Sequence, residues 1–330
     1  MKPIYIIPLL LILLLSCSNE SGTMNEIKKI HFGENNFSLF DSLEFRFVAL
    51  ETDSNCLIGS INRIEIFDNR IFVHDLFHAK SIFVFDAEGR FITQVGSIGD
   101  GPGNYIAANG FEIDRDNRRI IVNDSNRERL VFYDADTYEY IMHRSCAVSY
   151  FRTHRFLSVA ENTYNVNSRV FTYHYLQPYI YEITDNDCKL HTMLSFEGLA
   201  FPALPGSSSE QERSQYMEEL DNSQKKIAAY GIFESNDILF IQLIIGKLPY
   251  FAIQNKTTNM SSVFDGRHYV NSMSLDAAVF PVGATGEEIV CMITTGQEIN
   301  RKKIREPAFA EIVDSMKEDD NPVLCFFKWK

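Results

Sequence analysis

SIFVFDAEGRFITQVGSIGDGPGNY, residues 81–105, is the stretch that decides the fold. Ser81 to Phe85 alternates β-branched and aromatic residues. Asp86-Ala87-Glu88-Gly89 is a turn, and Arg90 to Val95 is a second strand. Gly89 supplies the positive φ that a short hairpin needs. A loop follows in which Gly96, Gly99, Gly101, Pro102 and Gly103 crowd together before Tyr105. Two short strands and a tight exit loop read as the outer half of a propeller blade.

The reading extends in both directions. Ile61–Phe67, Arg70–Asp75, Ser81–Phe85 and Arg90–Val95 are four strands in a row. Gly110–Ile113, Arg119–Asp124, Leu130–Tyr133 and Tyr138–His143 repeat them. Asp75 recurs as Asp124 after 49 residues, and Asp86 as Asp134 after 48. A four-strand unit at that period is the signature of a β-propeller. Later units are more worn. Arg155–Ala160, Val170–Tyr175, Tyr179–Ile183 and Lys189–Leu194 give a third. Ile238–Ile245, Tyr250–Gln254 and Met260–Phe264 give a fourth, and Ser272–Phe280 with Glu288–Thr294 a fifth. Pro322–Trp329, closed by the segment Leu39–Leu50, makes a sixth. The expected fold is therefore all-β, a six-bladed propeller of four-stranded blades over residues 39–330.

Two segments break the β pattern. Ser207–Tyr230 is polar and helical in character, with Ser209 and Glu212 spaced as a capping box. Glu306–Glu318 carries Pro307 in its first turn and an apolar stripe of Phe309, Ile312, Val313 and Met316.

The N-terminus has a different logic. Residues 1–16 carry one charge, Lys2, and an apolar run too short to span a bilayer but suited to a signal peptide. Leu14-Leu15-Ser16-Cys17 is similar to a bacterial lipobox, which implies cleavage before Cys17 and a lipid on its sulfur. Residues 17–38 then read as a tether, and the expected location is the outer membrane. The other reading is an ordinary signal peptide with a chance cysteine.

Composition excludes several partners. The net charge of −13 argues against a nucleic-acid surface, which needs clustered Lys and Arg. The remaining cysteines, Cys56, Cys146, Cys188, Cys291 and Cys325, are odd in number and widely spaced, with no CxxC. They suit buried apolar positions better than disulfides or zinc. No motif calls for a cofactor or metal. GxSxG, HExxH and a P-loop lysine are all missing.

The strand–DAEG–strand–GxGPGxY arrangement, the opening Ala49–Thr52 (ALET) and the closing NPVLCFFKWK together resemble the six-bladed β-propeller lipoproteins of Gram-negative bacteria, themselves similar to NHL-repeat propellers. Asn104 departs from that pattern, standing where an acidic residue is expected. The resemblance implies a fold and an envelope location but no reaction and no catalytic residue.

Strand parity places the candidate site. Alternate connections leave an up-and-down blade at opposite ends, so Leu76–Lys80, Gly96–Asn109, Ser125–Glu128 and Cys146–Arg152 share one face. That face offers His74, Asp75, His78, Asp124, Asn126, Arg127 and, as an exposed aromatic platform, Tyr105. Gly99, Gly101, Pro102 and Gly103 form a rigid passage between blades. By the same parity the 207–230 helix walls the channel mouth. The expected role is binding or scaffolding for a glycan, a peptide or an envelope protein. The alternative is a metal-dependent hydrolase or lyase in the central channel, built on Glu65, Glu112, Asp114 and Asn123.

Overall fold

The computed structural model describes residues 27–33, 37–145, 163–167, 169–184, 187–203 and 209–330. In chain order, β1 (Lys28–Phe32), the one-turn helix α1 (Leu39–Ser42) and β2 (Leu43–Ala49) come first. They precede β3 (Arg63–Phe67), β4 (Arg70–Asp75), β5 (Ser81–Asp86) and β6 (Phe91–Gln94). A two-residue parallel ribbon, β7 (Ser97–Ile98) with β8 (Asn104–Tyr105), leads on. The next four strands are β9 (Phe111–Asp114), β10 (Arg119–Asp124), β11 (Arg129–Asp134) and β12 (Tyr140–Ser145). A third group is β13 (Thr163–Val166), β14 (Arg169–Tyr173), β15 (Tyr179–Ile183) and β16 (Cys188–Phe196). Helix α2 (Glu210–Asn222) precedes β17 (Ala229–Glu234), β18 (Ile238–Ile245), β19 (Leu248–Asn255) and β20 (Ser261–Asp265). The chain ends with α3 (Gly266–Met273), β21 (Phe280–Ala284), β22 (Ile289–Ile293), α4 (Pro307–Ser315) and β23 (Val323–Trp329).

These strands make antiparallel blades whose first strands, β3, β9, β13, β17 and β21, lie innermost around a common channel. The molecule is an all-β propeller with few helices. Hydrophobic cores fill the spaces between sheets. The largest joins Phe240, Phe251 and Tyr269 to Phe309, Cys291, Cys325 and Phe327. Tyr269 stacks on Phe251 at a centroid distance of 4.0 Å.

Among the described residues there are five such sheets where the sequence suggests six. The segments read as fifth and sixth units share one sheet, in the order β2-β23-β22-β21. As read from the sequence, the N-terminal segment pairs with the final strand, supplying the outer strand of this last sheet with Leu43 opposite Trp329 and Ala49 opposite Val323. Ser272–Phe280, read as a strand, begins instead in α3. Asp265 accepts the His268 N–H at 2.9 Å to start that helix, and Ser274, at φ 53°, ends it. The expected strand at Arg155–Ala160 lies outside the described residues, and β13 takes the inner position of that blade.

The 17–38 segment is more than a tether. Its residues Lys28–Phe32 form β1, which adds to β16 in parallel as a fifth strand. Ile30 and Phe32 are buried, and Phe32 stacks on Phe196 at 5.0 Å. The cue is faint because KKIHF has only two inward apolar positions. Residues 1–26, including Cys17, lie outside the described residues.

The hairpin turn that fixed the reading also seals a seam. Gly89 has φ +86°, and a Cβ there would sit 2.2 Å from the Ala49 carbonyl oxygen at the end of β2. The Gly89 carbonyl in turn accepts the Glu51 N–H at 2.8 Å. Gly89→Ala is expected to cost roughly 1–3 kcal/mol, combining a strained φ with a displaced neighbour strand. Urea unfolding of the variant checks this; a loss within error of zero would contradict the seam.

Candidate functional site

The residues singled out on the connection-rich face hold the scaffold together. Asp75 is fully buried. It accepts the N–H groups of Gly59 (2.8 Å), Ser60 (3.2 Å) and His78 (2.9 Å). Burial alone would raise its pKa, but these donors outweigh it and hold the carboxyl below its ordinary value. Asp124 is its structural repeat, buried and accepting the Ile106 N–H at 3.3 Å and Arg129 Nε at 3.1 Å. Each aspartate clamps the connection entering its own blade, which is why the pair recurs at blade spacing.

His74 is buried, with Nε2 2.7 Å from the Ala108 carbonyl. His78 is exposed and packs over Gly59, and Asn126 is exposed. Arg127 pairs with Asp100 and donates to the Asn104 carbonyl at 3.3 Å. Arg129 reaches the same carbonyl, and Tyr133 donates to the Gly103 carbonyl at 2.7 Å. The Gly99–Gly103 passage is thus pinned by its carbonyls, and a Cβ on Gly103 would meet Tyr140 Cβ at 2.8 Å.

Tyr105 is a correction. It is fully buried, its hydroxyl donating to the Val95 carbonyl at 2.7 Å, and it belongs to the core between the first two blades. An aromatic residue after a Gly-rich loop reads equally as surface or core, and here the loop folds it inward. It cannot serve as a platform.

What the fold leaves open is the channel, a cavity of about 2170 Å³. Its two walls differ. On the β3–β9 side Arg63 donates to Glu65 at 2.7 Å and Glu112 at 3.0 Å, while Arg115 takes the other Glu65 oxygen at 3.0 Å. The same guanidiniums hold the Phe111 and Ile66 carbonyls. This network rivets two inner strands and neutralises its own charge. Of the other residues considered for channel chemistry, Asp114 caps the Asn117 turn away from the cavity. Asn123 has a buried Oδ1 with no partner. No group of three or more His, Cys, Asp or Glu side chains could hold a metal among the described residues.

The opposite wall is aromatic. Tyr175 stacks with His174 at 4.9 Å, and α2 brings Tyr216 and the exposed Met217 to the same cavity. Helix α2 starts with the capping box of Ser209 and Glu212 and anchors through buried Leu220 against Leu176 and Ala228. Asn165, Asn167 and Gln242 add amide groups to the lining. Deeper in, Tyr164 lies against Glu234. Burial, with that carboxylate beside it, pushes its phenol well above the ordinary value. Glu234 is itself paired with Lys256 at 2.6 Å. Sequence reasoning placed the helix at the mouth but missed Tyr175, because nothing local distinguishes it from a core tyrosine.

A β-propeller with an open, asymmetrically lined channel is thus the class that fold and site define. The chain belongs to a family described as a six-bladed β-propeller (DUF5128), whose profile matches residues 17–164 and 149–292. Beside the β7–β8 ribbon the described residues form five blade sheets, so the family description and the blade count differ by one. Among solved structures, the chain is similar to a protein of Bacteroides fragilis described as exported. They share 21% identity and a TM-score of 0.79, over 92% of this chain and 100% of that one. It is also similar to a member of the DUF4221 family from Bacteroides vulgatus, at 12% identity and a TM-score of 0.55, over 88% and 99% of the two chains. Comparison with curated proteins gave no match.

Two outcomes follow from the clamp residues. Tyr105→Ala is expected to lose about 3–5 kcal/mol in denaturant unfolding, as for other buried aromatics; a loss under about 1 kcal/mol would return Tyr105 to the surface. Burial pushes the His74 pKa down, against the opposing pull of the Ala108 carbonyl. Its folded value lies below its unfolded one, so the unfolded chain binds more protons as pH falls through about 6.5. Stability contributed by neutral His74 is present above that pH and declines below it. Melting curves between pH 8 and 5 are expected to show a smaller acid-side decline in His74→Gln than in the parent.

Proposed function

We propose that this protein is an exported, lipid-anchored binding module that takes a glycan in its propeller channel from the connection-rich face. The observation that carries the reading is the asymmetric lining. Tyr175, Tyr216 and Met217 present apolar and aromatic surface at the mouth, amides lie nearby, and the charged wall is already self-paired. Such a site offers stacking faces and hydrogen-bond donors and acceptors with most of its charge already paired, which suits the face and hydroxyls of an uncharged sugar. An export signal ending in Leu-Leu-Ser-Cys17, and the Bacteroides fragilis neighbour described as exported, support an envelope location. Anchoring through Cys17 in the outer membrane belongs to the same proposal. Binding is favoured over channel-centred hydrolysis because Arg63 and Arg115 occupy both Glu65 carboxylate oxygens and one of Glu112.

Isothermal titration against a panel of neutral oligosaccharides tests the reading. At least one is expected to bind, and Tyr216→Ala and Tyr175→Ala are each expected to weaken it about tenfold, or ~1.4 kcal/mol, with Tm changed by only a few degrees. A bound sugar indifferent to both changes would place the site elsewhere.

A further inference from the structure

We propose that the channel holds an internal stretch of a linear, unbranched glycan, threaded from the connection-rich mouth to the tight-turn end. This deepens the glycan reading above and rests on it.

The cavity follows the innermost strands from end to end. Asn62, Asn109 and Ala228 line it just before β3, β9 and β17 begin, on the connection-rich face. Asp116, Asn167 and Gly286 line the same cavity from the turns that follow β9, β13 and β21, on the opposite face. One continuous space therefore reaches both ends of the ring. β17 has 6 residues, so at about 3.3 Å per residue the passage is roughly 20 Å long. Over that length the 2170 Å³ cavity averages roughly 110 Å² in cross-section.

These dimensions decide against a compact ligand. Pockets that enclose one small molecule measure about 300–1,000 Å³, and this cavity is more than twice that. A single sugar at Tyr175 and Tyr216 would leave the deeper walls in water. Those walls carry amides at every level: Asn109 at the near end, Asn165 and Gln242 along the passage, Asn167 at the far turn. Each amide both donates and accepts, so a repeating chain of hydroxyl-bearing rings meets a partner at each step. The wall has no slot for a branch where β21 meets β3. A Cβ on Gly283 would come within 2.8 Å of the Ile64 carbonyl oxygen.

Isothermal titration with linear gluco-, xylo-, manno- and galacto-oligosaccharides, from single sugars to octasaccharides, tests threading. In a series that binds, affinity is expected to rise about tenfold or more from disaccharide to hexasaccharide and then level off. Gly286→Trp narrows the tight-turn end, where a Cβ meets only Asn236 Nδ2, at 3.8 Å. Asp116→Trp narrows it independently from the exposed β9–β10 turn. Each tryptophan is expected to cut the gain between disaccharide and hexasaccharide to about threefold or less. A disaccharide that binds as tightly as the hexasaccharide overturns threading and leaves a site at the mouth. So does a gain that survives the tryptophans in protein of parental Tm. Binding by no series at any length also overturns threading, and the glycan reading falls with it only if the wider neutral panel fails as well.

Discussion

The pairing of β2 with β23 is the interaction on which the rest of the structure depends. It joins the two ends of the chain across seven register positions, from Leu43–Trp329 to Ala49–Val323. Closing so long a loop has an entropic cost that grows only slowly with length, and the pair is heavily offset by burial. Leu43, Val323, Leu324, Cys325, Phe326 and Phe327 are all buried. Phe47 also stacks on Phe309 of α4 at 5.0 Å, so the helix covers the outer face of the closing strand. Without β2 the last sheet would present β23 as a hydrophobic edge, the kind of strand that pairs with other chains.

Asn321 fastens the same joint. Its amide donates to the carbonyls of Glu51 and Cys56, its Oδ1 accepts the Ile58 N–H, and its own N–H donates to Thr52. This explains why the opening ALET and the closing NPVLCFFKWK both read as fold markers. They are two halves of one contact. Asp75 and Asp124 have a similar meaning, each tying an incoming connection to its blade. Repeated polar residues in this chain mark geometry more than chemistry.

That distinction decides what was legible in the sequence. Hairpins such as Arg70–Asp86 announce themselves through alternation and turn residues, because their partners are local. The closing pair was legible, since FRFVAL and the final strand were read as partners. The blade count was not, because a helix separates β22 from β23 and another takes the start of Ser272–Phe280, so strands of one sheet read as two units. β1 was hidden because its partner lies more than 160 residues away. Tyr105 shows the limit for single side chains, since the loop path alone decides whether it points in or out. The channel site was legible only in part. Glu65 and Glu112 were visible as inner-strand carboxylates, but their arginine partners were not. The aromatic wall gathers Tyr175 and Tyr216 from a blade connection and a helix with no motif between them.

Amide hydrogen exchange of the closing strands tests ring closure most directly. If the β2–β23 pair holds the ring, the amides of its hydrogen-bonded residues should open only with the whole molecule. They should then share one exchange free energy with the core of β18 and β19. Exchange of β2 through an independent opening several kcal/mol below the global value, with the other blades still protected, would contradict the account.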